Sequence, residues 1–461
     1  MTAIGRMLYR TIFLSLFLFV LSLNICAQQR AGRLVAGEGM IDSNNSVFTL
    51  NECLKFALKN QPALNQSFID EAIARTNNNI AFSSWLPQVA GAANYQHYFQ
   101  LPTAFTQING VTTPVASGVY NYSIPSVTAT QTLFSTDVML AVKAARLNIL
   151  GTRQNTASVK IYLVSEVSKA FYDLLLSIEQ TGVYKEDTAR LKKNQADAYN
   201  GYVSGIVDKV DYKQATIALN NSLSQFKKAT EAVAAKYAVL QQLMGYPAEK
   251  KFTVKFDTVQ MMQEIFIDTL APLQVEKRIE YLQLQTAKRI MRETTMYYQF
   301  GFLPALSAFY NYNYEFENNK FSDLYSSAYP YSLFGIQLNI PLFTGFRRME
   351  NVHKAKLQER RIDWDEVDLK LAIYTQYKQA LANYKSNLYY LHSQGENVAM
   401  AREVYNIVKL QYREGIKPYL DVIVAESDLQ TSEINYLNAL FQLLASKIDL
   451  EKAMGDIPTD I

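Results

Sequence analysis

Apolar residues recur at spacings of three or four in two long segments, at about 136–200 and about 346–413. This spacing matches the turn of an α-helix and predicts one apolar face on each segment. At 1.5 Å per residue, ~65 residues make a rod of about 100 Å. The two apolar stripes consist of Leu163, Val167, Ala170, Leu174 and Ile178, and of Tyr377, Leu381, Tyr384, Leu388 and Leu391.

Ahead of each long helix the helical spacing is lost, which predicts a pair of β-strands, and alternation with period two is clear in the second pair. The first pair spans about 87–101 and 120–134, and the second about 303–316 and 331–343. An alternating run of about ten residues has the length of a transmembrane strand. The same run could instead be an edge strand of a soluble β-sandwich. The connections that we expect to be long outer loops are 102–119 and 317–330.

A short motif follows each predicted long helix and occurs twice in the chain. Each copy has a Tyr, a Gly three residues later and an Asp six residues after that. Glycine reaches positive φ at little steric cost, so the motif predicts a turn from which a second helix returns. The first copy has Tyr202, Gly205 and Asp211, and the second has Tyr412, Gly415 and Asp421. The predicted returning helices are 208–245 and 418–455.

The N-terminus has the pattern of a secretory signal peptide, predicted at 1–27. Basic residues precede an apolar run, and the small Ala27 offers a cleavage site. A membrane anchor is one alternative, although the run is short for a span. Lipidation of Cys26 is another alternative. The polar stretch at 28–47 is predicted to be a flexible leader.

The repeated motif divides the mature chain into two similar halves. Each half is expected to open with shorter helices, at about 50–60 and 63–84 in the first and at about 273–299 in the second. Thr49 with Glu52 has the spacing of a capping box and predicts the start of the first helix. The predicted segments are a first repeat at 48–246, an inter-repeat link at 247–272, a second repeat at 273–456 and a tail at 457–461.

Charge and functional-group chemistry exclude several classes of protein. The formal net charge of +3 suggests no nucleic acid or other polyanionic partner. The histidines His97, His353 and His392 are far apart and lack the spacing of metal ligands. The sequence has no phosphate-binding loop and no nucleophile motif, so we expect no cofactor, no metal and no enzymatic activity. With Cys26 in the signal peptide, Cys53 has no disulfide partner in the mature chain.

Taken in this order, the motifs resemble those of the TolC family of outer-membrane efflux and secretion channels. The resemblance covers about 48–456 and includes the order helix, strand, strand, long helix in both halves. Its individual motifs are the opening Thr49-Leu50-x-Glu52-Cys53-Leu54-x-x-Ala57-Leu58-x-Asn60-x-Pro62, the junctions Leu86-Pro87 and Leu303-Pro304, the run Pro341-Leu342-Phe343 with Gly345, and the two tip motifs.

The resemblance implies a mainly α-helical chain with transmembrane β-strands that functions as a homotrimer. Three chains would pool their strands into a twelve-stranded β-barrel in outer-membrane lipid, continuous with a periplasmic α-helical barrel. Four strands from a single chain cannot close a barrel of useful width. The implied location is the outer membrane of a Gram-negative bacterium. The implied partners are a periplasmic adaptor (membrane fusion) protein and an inner-membrane efflux pump or ABC exporter.

The resemblance also implies a gate at the helical tips, which closes the periplasmic entrance. In the family pattern Tyr412 bonds Asp211, and Lys417 assists this lock. Asp421 matches one carboxylate of the family's constriction, but Val424 stands where a second is usual. We therefore expect one acidic ring and weaker block by multivalent cations. The implied docking positions for the adaptor are Tyr202, Gly205 and Gly415.

The favoured function is the outer-membrane channel of a tripartite efflux system, which conducts substrate passively through a trimeric tunnel. A type I protein-secretion channel has the same architecture, and the sequence leaves the transported substrate open. A periplasmic coiled-coil scaffold without a pore is less favoured, because adaptors usually carry one helical hairpin and this chain has two. An exported enzyme with helical insertions is the least favoured, since no catalytic constellation is present.

Overall fold

The computed structural model describes residues 46–108, 110–255 and 265–459. The predicted signal peptide, most of the predicted leader, part of the inter-repeat link and the end of the tail lie outside the described residues. From Val47 onward the described chain belongs to one structural unit.

Helices dominate the described residues, as the hydrophobic spacing predicts. Two of them have 68 and 67 residues and correspond to the predicted rods. Each is followed by a returning helix of 36 residues, which completes a helical hairpin. The helices are α1 Leu50–Asn60, α2 Pro62–Ser83, α3 Thr136–Val203, α4 Lys209–Met244, α5 Ile279–Phe300, α6 Arg347–Arg413 and α7 Tyr419–Met454, with short 3₁₀ turns at Val275–Lys277 and Phe321–Asp323.

No helix in the described part of the chain has an apolar stretch long enough to cross a membrane.

The predicted capping box fixes the start of α1. The Thr49 side chain accepts a hydrogen bond from the Glu52 N–H, and Glu52 Oε2 accepts one from the Thr49 N–H at 2.8 Å. These reciprocal bonds satisfy backbone donors that have no partner within the helix. Pro62 then begins α2, at a position where its missing N–H has no intrahelical bond to lose.

The strands lie where the alternating pattern places them, but their extents differ from the prediction. The second predicted pair is continuous, whereas each strand of the first pair is broken into two pieces. The strands are β1 Ser46–Phe48, β2 Gln88–Ala92, β3 Tyr95–His97, β4 Thr103–Ile108, β5 Val111–Ala116, β6 Asn121–Ser123, β7 Ser126–Phe134, β8 Phe252–Val254, β9 Ala305–Asn318 and β10 Tyr329–Asn339.

Local hydrogen bonding explains the two breaks in the first strand pair. Pro125 lies between β6 and β7 and has no N–H to donate to a neighbouring strand. Asn94 lies between β2 and β3, and its side-chain oxygen accepts a hydrogen bond from the Ile124 N–H at 3.0 Å. The predicted strands at 87–101 and 120–134 are therefore too long as continuous elements.

The predicted outer loop at 102–119 is wrong in its central part, which forms a β-hairpin. Strand β4 pairs antiparallel with β5, and Thr106 lies opposite Thr113. Gly110 adopts φ +82° between the two strands, a conformation in which glycine is favoured. The other predicted loop, 317–330, contains one 3₁₀ turn and the ends of the two flanking strands.

The end of the predicted leader is also corrected, because Ser46–Phe48 forms β1. This strand pairs with β8 of the inter-repeat link. The Lys255 N–H donates to the Phe48 carbonyl oxygen at 2.9 Å. The link thus contains a short strand, Phe252–Val254.

Strands from both halves of the chain form one antiparallel sheet. Its order is β2 and β3 at one edge, then β7 and β6, then β9, then β10 at the other edge. Tyr310 of β9 lies opposite Ala129 of β7 on one side and opposite Phe334 of β10 on the other. Within the described residues, β10 and β2 each have a strand neighbour on one side only.

The main core lies along the hairpins, where helices of both halves pack together. Its fully buried side chains include Cys53 of α1, Leu174 of α3, Met244 of α4 and Leu443 of α7. Tyr384 of α6 is also buried, and its hydroxyl donates to the Ile265 carbonyl at 3.0 Å and accepts from the Ile267 N–H at 3.3 Å. The two hairpins therefore share one interior.

Gly395 lies inside α6 without interrupting the helix. Helix α6 runs unbroken from Arg347 to Arg413. A Cβ atom at Gly395 would lie 3.7 Å from the Tyr436 ring of α7, which is an ordinary packing distance. Packing against the returning helix therefore outweighs the propensity cost of about 1 kcal/mol for one glycine.

The two returning helices are equal in length but unequal in burial. Helix α7 has 13 buried residues, among them Leu429, Leu443 and Leu450. Helix α4 has four, among them Ala215 and Leu240. The returning helix of the second hairpin is thus far more buried than that of the first, and α4 keeps much of its apolar surface uncovered.

Candidate functional site at the helical tips

Both tip motifs form left-handed turns at their glycines, as predicted. Gly205 has φ +70° and Gly415 has φ +75°. The Gly205 N–H donates to the Tyr202 carbonyl at 3.1 Å, and the Gly415 N–H donates to the Tyr412 carbonyl at 3.0 Å. These bonds satisfy carbonyl groups at the ends of the long helices. No atom lies within 4 Å of where either Cβ would stand, so the backbone conformation alone selects glycine.

The two returning helices start differently after these turns. Asp208 is the N-cap of α4, and its carboxylate accepts a hydrogen bond from the Val210 N–H at 3.0 Å. Pro418 precedes α7 with φ −73° and has no N–H to satisfy. The predicted returning helix began at residue 418, so the observed start at Tyr419 is one residue later.

The second tip brings Tyr412 close to acidic groups of the first hairpin. The Tyr412 ring is half-buried, with its centroid 5.4 Å from that of Tyr419. Burial raises the pKa of the Tyr412 phenol, and the negative charges of Asp211 and Asp197 raise it further. Within the described residues of one chain, the Tyr412 phenol senses Asp211 through its charge and has no direct hydrogen bond to it.

Lys417 lies in the turn just before α7, four residues ahead of Asp421. Its Nζ is 3.2 Å from Asp421 Oδ2, and the two side chains are 40% and 38% exposed. Exposed pairs of this kind contribute little stability, roughly 0.3–0.5 kcal/mol. In one chain, Lys417 is therefore held by the acidic residue of the expected constriction and not by the Tyr412 lock. Val424 is exposed beyond Asp421 on α7.

The first tip is formed by stacked aromatic rings and exposed apolar side chains. The Tyr202 ring stacks on Tyr212 at a centroid distance of 6.1 Å, and Tyr199 lies 5.1 Å from Tyr212. Ile206 is 80% exposed, and Ile416 at the second tip is 70% exposed. Large apolar side chains that remain in water at the end of a rod are typical of an interaction surface.

Sequence reasoning missed a buried polar cluster between the two hairpins. Asp187 and Arg190 of α3 meet Glu426 of α7, and both carboxylates are 2% exposed. A signal was present in the sequence, because Glu426 falls at helical spacing between the apolar residues Val422 and Leu429. A charged residue within an apolar stripe indicates a buried partner.

The Tyr419 hydroxyl is buried without a hydrogen-bond partner among the described residues. We expect Tyr419→Phe to change the free energy of unfolding by less than about 1 kcal/mol, in the stabilising direction, because it removes an unsatisfied polar group and keeps the ring. Tyr384→Phe is the matched control, since it removes a hydroxyl with two partners and should cost roughly 1–3 kcal/mol. Denaturant titration compares them, and equal losses would contradict the expectation.

Three comparisons with known proteins agree with this geometry. A family model described as outer membrane efflux protein matches residues 53–246 and 287–456. The cation efflux system protein CusC of Escherichia coli K12 is 21% identical over 407 residues, which covers 85% of this chain and 86% of that protein. Outer membrane protein TolC of Salmonella enteritidis is 19% identical over 426 residues, which covers 86% of this chain and 79% of that protein.

A crystal structure of CusC shares the fold, with a TM-score of 0.73 at 17% identity over 89% of this chain and 93% of that chain. At this identity the likeness is informative about architecture alone. The long hairpins, the antiparallel sheet built from strands of both halves and the internal duplication of this chain agree with that architecture. Because the family model matches well over half of the sequence, the chain belongs to the outer membrane efflux protein family, the TolC-type channels of the Gram-negative outer membrane, and it is a channel protein and not an enzyme.

Proposed function

We propose that three copies of this chain form a tunnel that passively conducts substrate from an inner-membrane pump and a periplasmic adaptor to the exterior. The open sheet is the observation that carries this proposal. In one chain, the described edge strand β10 has 11 residues and pairs only with β9. Its Phe334 and Ile336 are exposed. A long apolar edge of this kind needs a partner strand, because an unpaired edge in lipid is costly.

A second copy is the partner that fits this edge. The opposite edge of the same sheet is β2 with β3, which also has one neighbour. Joining the β10 edge of one chain to the β2 edge of the next satisfies both edges. When β2 with β3 and β6 with β7 are each counted as one interrupted strand, three chains give a closed ring of twelve strands. The hairpins would continue this ring into a helical tunnel about 100 Å long.

The tips are the proposed gate of this tunnel. Tyr412 is close enough to Asp211 for the carboxylate to act on its phenol, which supports a lock that a small rotation of one hairpin completes. Asp421 supplies one carboxylate per chain to the constriction. A ring of three carboxylates favours cations over anions.

The exposed apolar surface at the tips supports docking of a periplasmic adaptor. This surface surrounds the turn residues Tyr202, Gly205 and Gly415, which have no role in the interior of the single chain. An adaptor would cover it and couple the channel to an inner-membrane pump, which supplies the energy. We favour efflux as the process because one relative of this chain, CusC, is named a cation efflux system protein.

Conductance of the full-length chain in planar lipid bilayers tests the proposal directly. We expect discrete channels with a preference for cations, and light scattering of the detergent-solubilised protein should give a trimer. A monomeric particle that produces no conductance would exclude the tunnel and leave a periplasmic scaffold as the function.

Asp421 and Lys417 should change ion selectivity in opposite directions. Asp421→Ala removes the acidic ring and is expected to lower the preference for cations, whereas Lys417→Ala removes the cation that offsets it and should raise the preference. Reversal potentials in a KCl gradient measure both effects. Glu231→Ala, in an exposed ion pair with Lys227 on α4, is the matched control. An Asp421→Ala channel with the reversal potential of the native protein would reject this constriction.

A further inference from the structure

The buried polar cluster joins the two hairpins through one guanidinium group. Arg190 Nε donates to Glu426 Oε1 at 3.1 Å, and Arg190 Nη2 lies 3.4 Å from Asp187 Oδ1. Asp187 and Arg190 belong to α3 of the first hairpin, and Glu426 belongs to α7 of the second. Arg190 and Glu426 both lie within about 20 Å of the tip end of their helices.

Other polar side chains complete the bonding of the two carboxylates. Asp187 Oδ2 accepts from Ser222 Oγ of α4 at 2.7 Å and from Gln430 Nε2 of α7 at 2.6 Å. Glu426 Oε2 accepts from Asn194 Nδ2 of α3 at 3.1 Å. Three helices therefore meet at this cluster, and separating the hairpins breaks the bonds that Arg190, Gln430 and Asn194 make between them.

The cluster buries two carboxylates with one guanidinium, so it holds more acidic than basic groups. Burial raises the pKa of Asp187. Burial also raises the pKa of Glu426, and the negative charge of Asp187 raises it further. The charged or titratable groups that face the cluster are Asp187 and Arg190 on α3, Tyr405 and Lys409 on α6, and Tyr419, Glu426 and Glu433 on α7, while α4 contributes the Ser222 hydroxyl.

A polar cavity of about 190 Å³ lies beside the two carboxylates. Its lining includes Asp187 and Glu426 together with Asn221, Gln225 and Ser427. A cavity of this polarity and size has room for water, with each molecule needing about 30 Å³. Protons can thus reach the carboxylates without the helices coming apart.

We propose that Arg190 and its two carboxylates form a proton-sensitive tie, which holds α7 against α3 while the periplasmic entrance is closed and breaks when it opens. This inference rests on the proposed function, since it requires that the tips open and close. Arg190 and Glu426 fix the position of α7, and α7 carries Asp421 of the proposed constriction. They are therefore positioning residues of the gate.

The direction of the proton effect follows from burial. An ionised carboxylate is costly inside the closed cluster and is hydrated once the hairpins separate. The closed entrance therefore binds a proton more tightly than the open one. Lowering the pH through the raised pKa values should favour closure, and raising it should favour opening.

Two variants of the full-length channel test the tie in planar bilayers. Arg190→Met leaves two buried carboxylates without their cation, and we expect the open probability at neutral pH to rise on the order of 100-fold. Glu426→Gln keeps one acceptor oxygen for Arg190 Nε and removes the excess negative charge. We expect it to remain closed at neutral pH and to lose most of the response of the open probability to pH, because Asp187 is then the one carboxylate of the pair that titrates.

Controls separate gating from assembly. Arg190→Lys keeps the positive charge and should give a smaller rise in open probability. If light scattering shows that Arg190→Met does not form trimers, Arg190→Lys is the variant that decides the outcome. Lys227→Met, in an exposed pair on α4, should behave as the native protein. A native-like open probability in the assembled Arg190 variant, or a full pH response in Glu426→Gln, would overturn the tie. Absence of conductance in the native protein would instead overturn the proposed function.

Discussion

Gly245→Ala is expected to lower the free energy of unfolding by roughly 3 kcal/mol or more, the largest effect of any single methyl addition that we predict. Gly245 ends α4 at φ +67°, where an alanine is already strained. In addition, its Cβ would lie 2.8 Å from the Asn60 carbonyl oxygen and 3.1 Å from the Gln61 Cα. These are backbone atoms at the junction of α1 and α2, and they cannot move without shifting both helices.

Gly455 is the matched control, because it occupies the equivalent position in the second half. It ends α7 at φ +81°, but its Cβ would lie 3.5 Å from the Lys277 backbone and side chain, an ordinary contact. Gly455→Ala should therefore cost only the backbone strain, about 1 kcal/mol. Denaturant titrations of the two variants in detergent measure the difference. Equal losses would mean that the contact of Gly245 with the α1–α2 junction contributes nothing.

Tyr412→Phe combined with Asp211→Ala is expected to raise the conductance of the closed channel about tenfold. Each change removes one partner of the proposed lock, and a hydrogen bond to a charged group is worth roughly 1.5–3 kcal/mol. A loss of 1.4 kcal/mol per chain corresponds to a tenfold change in an equilibrium constant, so the effect in a trimer is at least this large.

Single-channel recording of the double variant at neutral pH measures this prediction. Tyr202→Phe is the matched control, since it alters the equivalent tyrosine of the first tip and keeps its ring stacked on Tyr212. Asp197→Ala removes the other acidic neighbour of Tyr412 and so distinguishes its effect on conductance from that of Asp211. If the double variant conducts like the native channel, the assignment of Tyr412 and Asp211 as the lock is wrong.

The helices of this fold could be predicted from the sequence because their determinants are local. The capping box at Thr49, the turn glycines Gly205 and Gly415, and the apolar stripes all act within a few residues. The observed bounds of α3 and α6 differ from the predicted ones by only a few residues at either end. Periodicity and caps together specify where such helices start and stop.

Strand continuity was harder to predict, although the hairpin at β4 and β5 left a signal. The dipeptide Asn109-Gly110 is typical of a two-residue hairpin turn, and it lies between residues that favour strands. Asn94, at the break between β2 and β3, bonds a residue that is 30 positions away. Such a break depends on the strand neighbour, which periodicity within one strand does not identify.

The site was only partly predictable for a similar reason. The tip turns follow from local motifs, whereas the tie between Arg190 and Glu426 joins residues that are 236 positions apart. Lys417 illustrates the opposite case. A family pattern directs it toward the lock, whereas the Asp421 carboxylate in the first turn of α7 holds it in the single chain. Packing of the helices decides which distant charged residues pair. A charged residue within an apolar stripe indicates that it has a partner, but the sequence does not identify that partner.

The unequal burial of α4 and α7 has a consequence for how the duplicated halves evolve. Substitutions along α7 disturb the interior of the single chain, so selection for folding constrains most of that helix. Substitutions along α4 meet fewer buried neighbours and are tolerated wherever an adjacent subunit or partner does not cover them. We therefore expect the returning helix of the first half to tolerate more change than its counterpart in the second half, which is held by the interior that it fills.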